Sequence, residues 1–343
     1  MEENIIGNRE AEIAISSRVR LARNIQCIPF PTRMDPDQGE TVINKVWESI
    51  SESSEAMSKN LVLVNTRKLD PIDRQILVEK HLISPELGKS KMESAVIISM
   101  DEKISIMINE EDHLRIQCIF PGMQLDNAWR LCNKLDVLLE EKIDFAYDKK
   151  LGYLTCCPSN IGTGIRASVM LHLPALGMTG YIKNILEACG KLGIAVRGIY
   201  GENSEASGNT FQISNQVSLG QTEEEIIASV NNVASQIIEQ EKMLRKELYN
   251  QNPYRFEDRI YRSFGLLSNA RIMTSEESLK LLSDVRLGVD MGTIGGITIE
   301  TLNEIMLVIQ PAYIQKLTGK VLSPDERDIR RAELIRSRLR SDK

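Results

Sequence analysis

A chain of 343 residues with 42% hydrophobic and 26% charged side chains carries enough apolar material for two ordinary globular domains and too much to remain unfolded. Its net charge of −6 and its 5% aromatic content argue against a general attraction to nucleic acid or anionic membrane, and against stacking platforms for bases. The six cysteines (27, 118, 132, 156, 157 and 189) lack CxxC spacing, and neither an apolar leader nor a membrane-length apolar run is present, which predicts a cytoplasmic protein with free thiols.

In chain order, AEIAISSRVRLARNI predicts a strand with Arg18 and Arg20 on one side, either an edge strand with solvated charges or a row of cations built for a ligand. GETVINKVWESISES and PIDRQILVEKHLIS predict amphipathic helices, the second carrying His81 near its end. SAVIISM, KISIMIN and HLRIQCIFPG predict an antiparallel meander, and residues 124–146 a helix whose stripe of Leu125, Trp129, Cys132, Leu135, Leu138 and Leu139 is core. GYLTCC reads as a strand entering a glycine-containing loop, TGYIKNILEACGKLG as a helix, and residues 195–220 as two strands around a polar turn.

At residue 222 the composition turns helical, opened by a capping box of Thr222 and Glu225. Four helical segments follow, the third broken at Pro311 and the last opened by Ser323, Pro324 and Glu326. The expected class is α+β: a mainly antiparallel sheet flanked by helices over residues 1–248, then an all-α domain over 249–343.

The chemistry-bearing stretches are few. In INEEDHLRIQ, Glu110, Glu111 and Asp112 are either a surface turn or a fork for a metal or a guanidinium, and only one or two of them can face any one site. GENSEASG places Glu202 and Glu205 in a small-residue loop that either closes over a ligand or is solvated. CCPSNIGTGIRASVM contains neither GxxxxGK[ST] nor GxGxxG. What remains for binding a polyphosphate is a scatter of arginines: Arg18, Arg20, Arg115, Arg166 and Arg197.

SSRVRLARN, NEEDHLRIQ, CPSNIGTGIRASV, VRGIYGE and QISNQVSLG occur in the order and at about the spacing of the phosphagen kinases, over roughly residues 13 to 245. The sequence most resembles their bacterial protein-arginine kinase branch, in which a helical C-terminal domain follows the catalytic domain and most of the small N-terminal domain is missing. The resemblance implies a phosphagen-kinase-like catalytic domain. Its ATP site would be lined by Ser16, Ser17, Arg18, Val19 and Arg20, by His81 and Arg115, by Arg166, Ala167, Ser168, Val169 and Met170, and by Arg197, Gly198, Ile199, Tyr200, Gly201 and Glu202. Arg18, Arg20, Arg115 and Arg166 would grip phosphates, Glu111 would be the catalytic carboxylate with Glu205 as its partner, and Cys157 would position the acceptor. Cys156, turned the other way on the strand, would be core. Tyr200 departs from the family, standing where the metabolite kinases carry a phosphate-binding arginine that Arg197 would have to replace. RDIRRA, comprising Arg327, Asp328, Ile329, Arg330, Arg331 and Ala332, fits the family's RDxxRA phosphoarginine-binding pattern, with Arg327 and Arg331 on one helix face.

The implied function is transfer of the γ-phosphate of ATP, with Mg²⁺ held by ATP oxygens and water, to arginine side chains of proteins. Two alternatives stand beside it: kinase activity on free arginine or another small guanidino compound, and a phosphoarginine-binding adaptor without activity. The resemblance also implies a homodimer, a zinc-binding activator protein, autophosphorylation, a stress-gene repressor among the clients, and delivery of marked proteins to a Clp-type ATPase. Nucleic acid and membrane are not expected partners.

Overall fold

The alternation in AISSRVRLAR produces strand Ala14–Arg23 (β1), with fully buried Val19 and Leu21 on one face and half-buried Arg18 and Arg20 on the other. The computed structural model describes residues 13–52, 60–198 and 206–341. After β1 come helix Pro36–Ser51 (α1), strand Leu61–Asn65 (β2), helices Pro71–Glu79 (α2) and Pro85–Lys89 (α3), strands Ala95–Ser99 (β3), Ile104–Ile108 (β4) and Leu114–Pro121 (β5), and helix Leu125–Glu140 (α4). The hairpin of Tyr147–Asp148 (β6) and Gly152–Tyr153 (β7) leads to strand Ile165–His172 (β8), helices Pro174–Thr179 (α5) and Ile182–Lys191 (α6), and strands Ile194–Gly198 (β9) and Thr210–Asn215 (β10). Helices Glu223–Gln251 (α7), Pro253–Asn269 (α8), Ser275–Asp290 (α9), Ile299–Val308 (α10), Pro311–Thr318 (α11) and Pro324–Ser341 (α12) complete the described chain.

The main sheet runs β2-β3-β4-β5-β1-β8-β10-β9, and every neighbouring pair is antiparallel. The expected α+β class and the β3-β4-β5 meander are found. The edge-strand reading of β1 is overturned, because β1 is paired along both sides, by β5 and by β8. Helix α4 covers the apolar face of β1 and β5 while α7 covers β8 and β10, closing one continuous core.

A charged anchor, Arg23, is buried beside that core. Arg23 is 1% exposed, donates through Nε and Nη2 to Asp136 on α4 at 3.0 and 2.6 Å, and lies 3.5 Å from the Tyr153 ring centre. Its Nη1 also reaches the Thr163 carbonyl at 2.9 Å, tying the loop before β8 to the end of β1.

Three local expectations are corrected. The helix predicted through residue 84 ends at Glu79, and His81 adopts a left-handed φ of 59°. GYLTCC is extended only at Gly152–Tyr153, because Leu154 bonds back to the Ala146 carbonyl and Asp112 captures the Cys156 N–H at 2.7 Å. Cys156 is therefore a half-buried loop residue rather than strand core, its thiol pushed up to about 12 by burial and by Asp112. Conversely, IRASVMLH, absorbed into a loop by its neighbouring glycines, is the strand β8.

The Thr222–Glu225 capping box opens α7 as expected, and the helix continues to Gln251. Beyond it, five helices pack around a second core that includes Phe256, Leu282, Ile305 and Ile335, with the break at Pro311 separating α10 from α11. A buried ionic cluster joins the two regions. Glu241 on α7 accepts the N–H groups of Ala175 and Leu176 at 3.0 and 2.9 Å, while Arg245 binds Glu241, Asp290 and the His172 carbonyl. At a second contact, Glu79 accepts the Ala312 and Tyr313 N–H groups at 2.8 and 3.2 Å, capping α11 from the end of α2. Among the described residues no helix is long and apolar enough to cross a membrane.

Candidate active site

Antiparallel registry decides which side chains meet. Residues opposite one another point to the same face. Ala22 faces Arg115, Arg20 faces Arg166, Ser16 faces Met170, Met170 faces Gln212, and Gln212 faces Arg197. One face of five adjacent strands thus presents Arg115, Arg18, Arg20, Arg166 and Arg197. These arginines, with His81, Glu111, Cys157, Ser159, Asn160, Gly164, Met170, Gly198 and Gln212, line a cleft of about 470 Å³. Ser16 and Ser168 border the adjoining chamber. Ser17, Val19, Ala167 and Val169, implied by the same motifs, lie on the opposite, covered face, where Ser17 donates to the Gly122 carbonyl at 2.8 Å.

The guanidiniums of Arg18, Arg20 and Arg166 are poorly compensated by the protein. Arg18 donates to Gln212 Oε1 at 2.9 Å and Arg166 to Ser214 at 3.2 Å, but Nε of both Arg20 and Arg166 is buried without a hydrogen-bond acceptor. Burial, followed by repulsion from Arg115 and Arg166, lowers Arg18 to about 10, and burial, followed by Arg18, Arg115 and Arg166, also lowers Arg20. Arg166 is lowered by burial, then by Arg197 and Arg115. Buried like charges with unfilled donors are the complement of a polyanion, and a nucleotide polyphosphate fits this donor set. His81 is held down to about 4 by burial and by Arg18, so it faces the cleft as a neutral ring.

At the β5 end, the tight turn between β4 and β5 divides the NEEDH run. Asp112 and His113 turn inward: Asp112 accepts from Asn24 and the Cys156 N–H, and His113 Nδ1 accepts from Ile25 while its Nε2 bonds the Pro29 carbonyl. Glu110 and Glu111 both reach Arg115, at 2.9 and 3.0 Å. Glu110 is buried and also accepts from Ser84 at 2.7 Å, which fixes Arg115, whereas Glu111 keeps part of its carboxylate exposed in the cleft. Burial raises Glu111 above its ordinary range, Arg115 opposes the rise, and Asp112, Glu110 and Glu86 reinforce it.

Cys157 lines the cleft with Sγ 3.0 Å from Ser159 Oγ, on a loop whose Gly162 and Gly164 have φ of 111° and 68°. A Cβ on Gly164 would sit 2.6 Å from Arg23 Nη1. Ile199, Tyr200, Gly201, Glu202 and Glu205 lie outside the described residues.

Sequence reasoning missed Gln212 and the Ser84–Glu110 brace. The first was legible as the odd polar residue in FQIS, while the second joins segments 26 residues apart and leaves no local pattern.

The RDIRRA segment is on α12, in the helical region. Arg331, 2% exposed, donates to the Ile309 and Met273 carbonyls, both at 3.0 Å, and pairs with Asp328. Arg327 reaches the Leu322 carbonyl at 3.3 Å, Arg330 pairs with Glu333, and Ala332 is core.

Residues 41–244 match the family described as ATP:guanido phosphotransferase, C-terminal catalytic domain, and residues 253–343 match the protein-arginine kinase McsB C-terminal domain. The protein-arginine kinase of Caldanaerobacter subterraneus subsp. tengcongensis is 51% identical over 96% of this chain and 98% of its own length. That of Bacillus subtilis strain 168 is 49% identical over 96% and 91%. The crystal structure of lombricine kinase shares the fold, with a TM-score of 0.60 at 22% identity over 69% of this chain and 68% of the other. The chain therefore belongs to the protein-arginine kinases of the ATP:guanido phosphotransferase family, and it is an ATP-dependent phosphotransferase.

Proposed function

We propose that the cleft moves the γ-phosphoryl group of ATP onto a guanidinium nitrogen of an arginine side chain in a protein. The observation that supports this most directly is the shared cleft: a partly exposed carboxylate, Glu111, stands beside a row of arginines of which Arg18, Arg20 and Arg166 have no carboxylate partner, and it is linked to that row through Arg115. The acceptor's pKa lies above about 12, so its nitrogen must give up a proton as it attacks. In the reading, Glu111 orients the planar group and takes that proton. A nitrogen–phosphorus bond forms, the bond from the γ-phosphorus to the bridging oxygen breaks, and ADP leaves with the electron pair. The arginine row aligns the phosphates and balances their charge, which is most of the task in phosphoryl transfer.

Glu205, on a segment outside the described residues, is proposed as the second carboxylate, and Cys157 as a group that positions the acceptor. Among the described residues no three His, Cys, Asp or Glu side chains gather into a metal cage. A Mg²⁺ ion bound to phosphate oxygens and water would add charge neutralisation without needing one. The reading extends to two domains, residues 1–248 and 249–343, and to the RDIRRA helix as a phosphoarginine site, although the Arg331 guanidinium is already engaged by protein acceptors. Homodimerisation, a zinc-binding activator, stress-response clients passed to a Clp-type ATPase and a cytoplasmic location belong to the same proposal.

The test is transfer from γ-labelled ATP with Mg²⁺ to an unfolded protein and, separately, to free arginine. Acid-labile label on the protein, abolished in Glu111→Ala, is expected. Label on free arginine alone would sink the protein-substrate reading, and no transfer to either would leave only a binding role.

A further inference from the structure

Beyond Glu111 the cleft meets a further chamber of about 540 Å³. The two share only Glu111 and Arg115, none of Arg18, Arg20, Arg166 and Arg197 borders the chamber, and its outer wall is the short helix α3, through Glu86, Leu87 and Lys89. Resting on the protein-acceptor reading above, we infer that this wall is a ledge for the chain on either side of the acceptor arginine, and that Glu86 recognises a second cationic side chain there. Arginines in lysine- or arginine-rich segments are then the preferred acceptors.

Geometry supplies the first argument. The phosphates occupy the arginine row, so an acceptor nitrogen held at Glu111 must trail its own chain away from that row, into the space that α3 borders. Consecutive Cα atoms are only about 3.8 Å apart, and the residues next to the acceptor therefore pass close to this wall. The wall is also built rigidly. Leu87 is fully buried against Val96 and Met107, while Ser84 accepts the Leu87 N–H at 3.0 Å and donates to Glu110 at 2.7 Å, tying α3 to the turn that carries Glu111. A fixed ledge costs little to order when a chain settles on it. The sign of the charge comes from the acceptors left over. Glu86 is exposed and, among the described residues, has no ion-pair partner; it stands near enough to Glu111 to add to the rise of that carboxylate's pKa. Glu110 lines the same chamber with its side chain only 3% exposed, and apart from its ionic contact with Arg115 its buried Oε2 has no hydrogen-bond donor. An unpaired carboxylate beside an unsatisfied buried oxygen calls for cationic N–H donors, and Lys89 is the one chamber cation outside the Arg115 pairs that opposes them.

The test uses the full-length protein and three unstructured peptides with a single arginine each, flanked on both sides by lysines, by glutamines or by glutamates. Steady-state transfer from γ-labelled ATP with Mg²⁺ is followed as acid-labile label for wild type, Glu86→Gln and Glu86→Lys. In wild type the lysine-flanked peptide should exceed the glutamate-flanked one in kcat/KM by about 3- to 10-fold, the difference lying mainly in KM and shrinking as ionic strength rises. Glu86→Gln should bring that ratio towards one, and Glu86→Lys should invert it. A wild-type ratio near one, or a ratio unchanged across the three proteins, would overturn the ledge while leaving the kinase reading intact. A uniform loss over all three peptides in the variants would also overturn it, because Glu86 would then act on the catalytic turn and not on the acceptor's neighbours. Wild type that labelled none of the peptides would overturn both this inference and the protein-acceptor reading beneath it.

Discussion

Glu111 accepts a charge-assisted hydrogen bond from Arg115 at 3.0 Å, which seats the proposed proton acceptor directly against a proposed phosphate ligand. Glu111→Gln keeps the shape and removes the base, so kcat should fall by about 10²–10⁴ while ADP binding changes little. Only the ionised carboxylate can take a proton, and burial raises its pKa. The acid limb of kcat/KM should therefore lie above 4.5, the ordinary glutamate value, with activity lost as pH falls through it. A rate profile whose acid limb is unchanged in Glu111→Gln would remove this residue from the chemistry.

Arg20 is held in the sheet against its own charge: burial and three neighbouring guanidiniums all oppose it, and only Glu110 favours it. Arg20→Met should raise thermal stability, by on the order of 1 kcal/mol, while reducing transfer by about 10³. Scanning calorimetry beside the transfer assay checks both halves. A lower melting temperature would mean the arginine row is a structural element and not a ligand site.

Arg331 and Arg327 should separate cleanly. Truncating Arg331 to Ala strips partners from the Ile309 and Met273 carbonyls and from Asp328, and should cost about 3–5 kcal/mol. Arg327→Ala loses one long contact to the Leu322 carbonyl and should cost less than about 1 kcal/mol. Urea denaturation followed by circular dichroism gives the comparison, and equal costs would contradict it.

Gly164→Ala combines a left-handed φ of 68° with a Cβ 2.6 Å from Arg23 Nη1 and 2.7 Å from the Ala22 carbonyl. Gly180→Ala, at a φ of 75° with nothing within 4 Å of its Cβ, isolates the backbone component. The second should cost roughly 1 kcal/mol and the first several times more, with transfer activity falling in Gly164→Ala alone. Equal melting temperatures in the two variants would show that the loop relaxes freely.

Much of this architecture was legible because it is written locally. The meander announces itself by short apolar runs between turns, α7 by Thr222 and Glu225, and the paired side of Arg18 and Arg20 by spacing alone. Whether β1 lay at an edge or in the centre was not legible, since alternation looks the same in both places and only β5 and β8 decide it. Strand β8 was hidden because glycines just ahead of it made the whole motif read as loop, and GYLTCC misled because its strand pattern is overridden by Asp112 capturing Cys156. At the site, the five arginines could be named from sequence, but their common face could not, because it is the product of four registers.

The central position of β1 also sets a timetable for the growing chain. Its contacts reach residues 105 positions later on one side and 150 on the other. At roughly 5–20 residues per second of synthesis, the second partner arrives on the order of 10–30 s after the first strand is complete. Until β5 and then α4 emerge, β1 offers two unpaired edges and an uncovered apolar face, and one edge stays open until β8 is made, so the nascent chain is most exposed to misassociation over the stretch that later becomes the floor of the site.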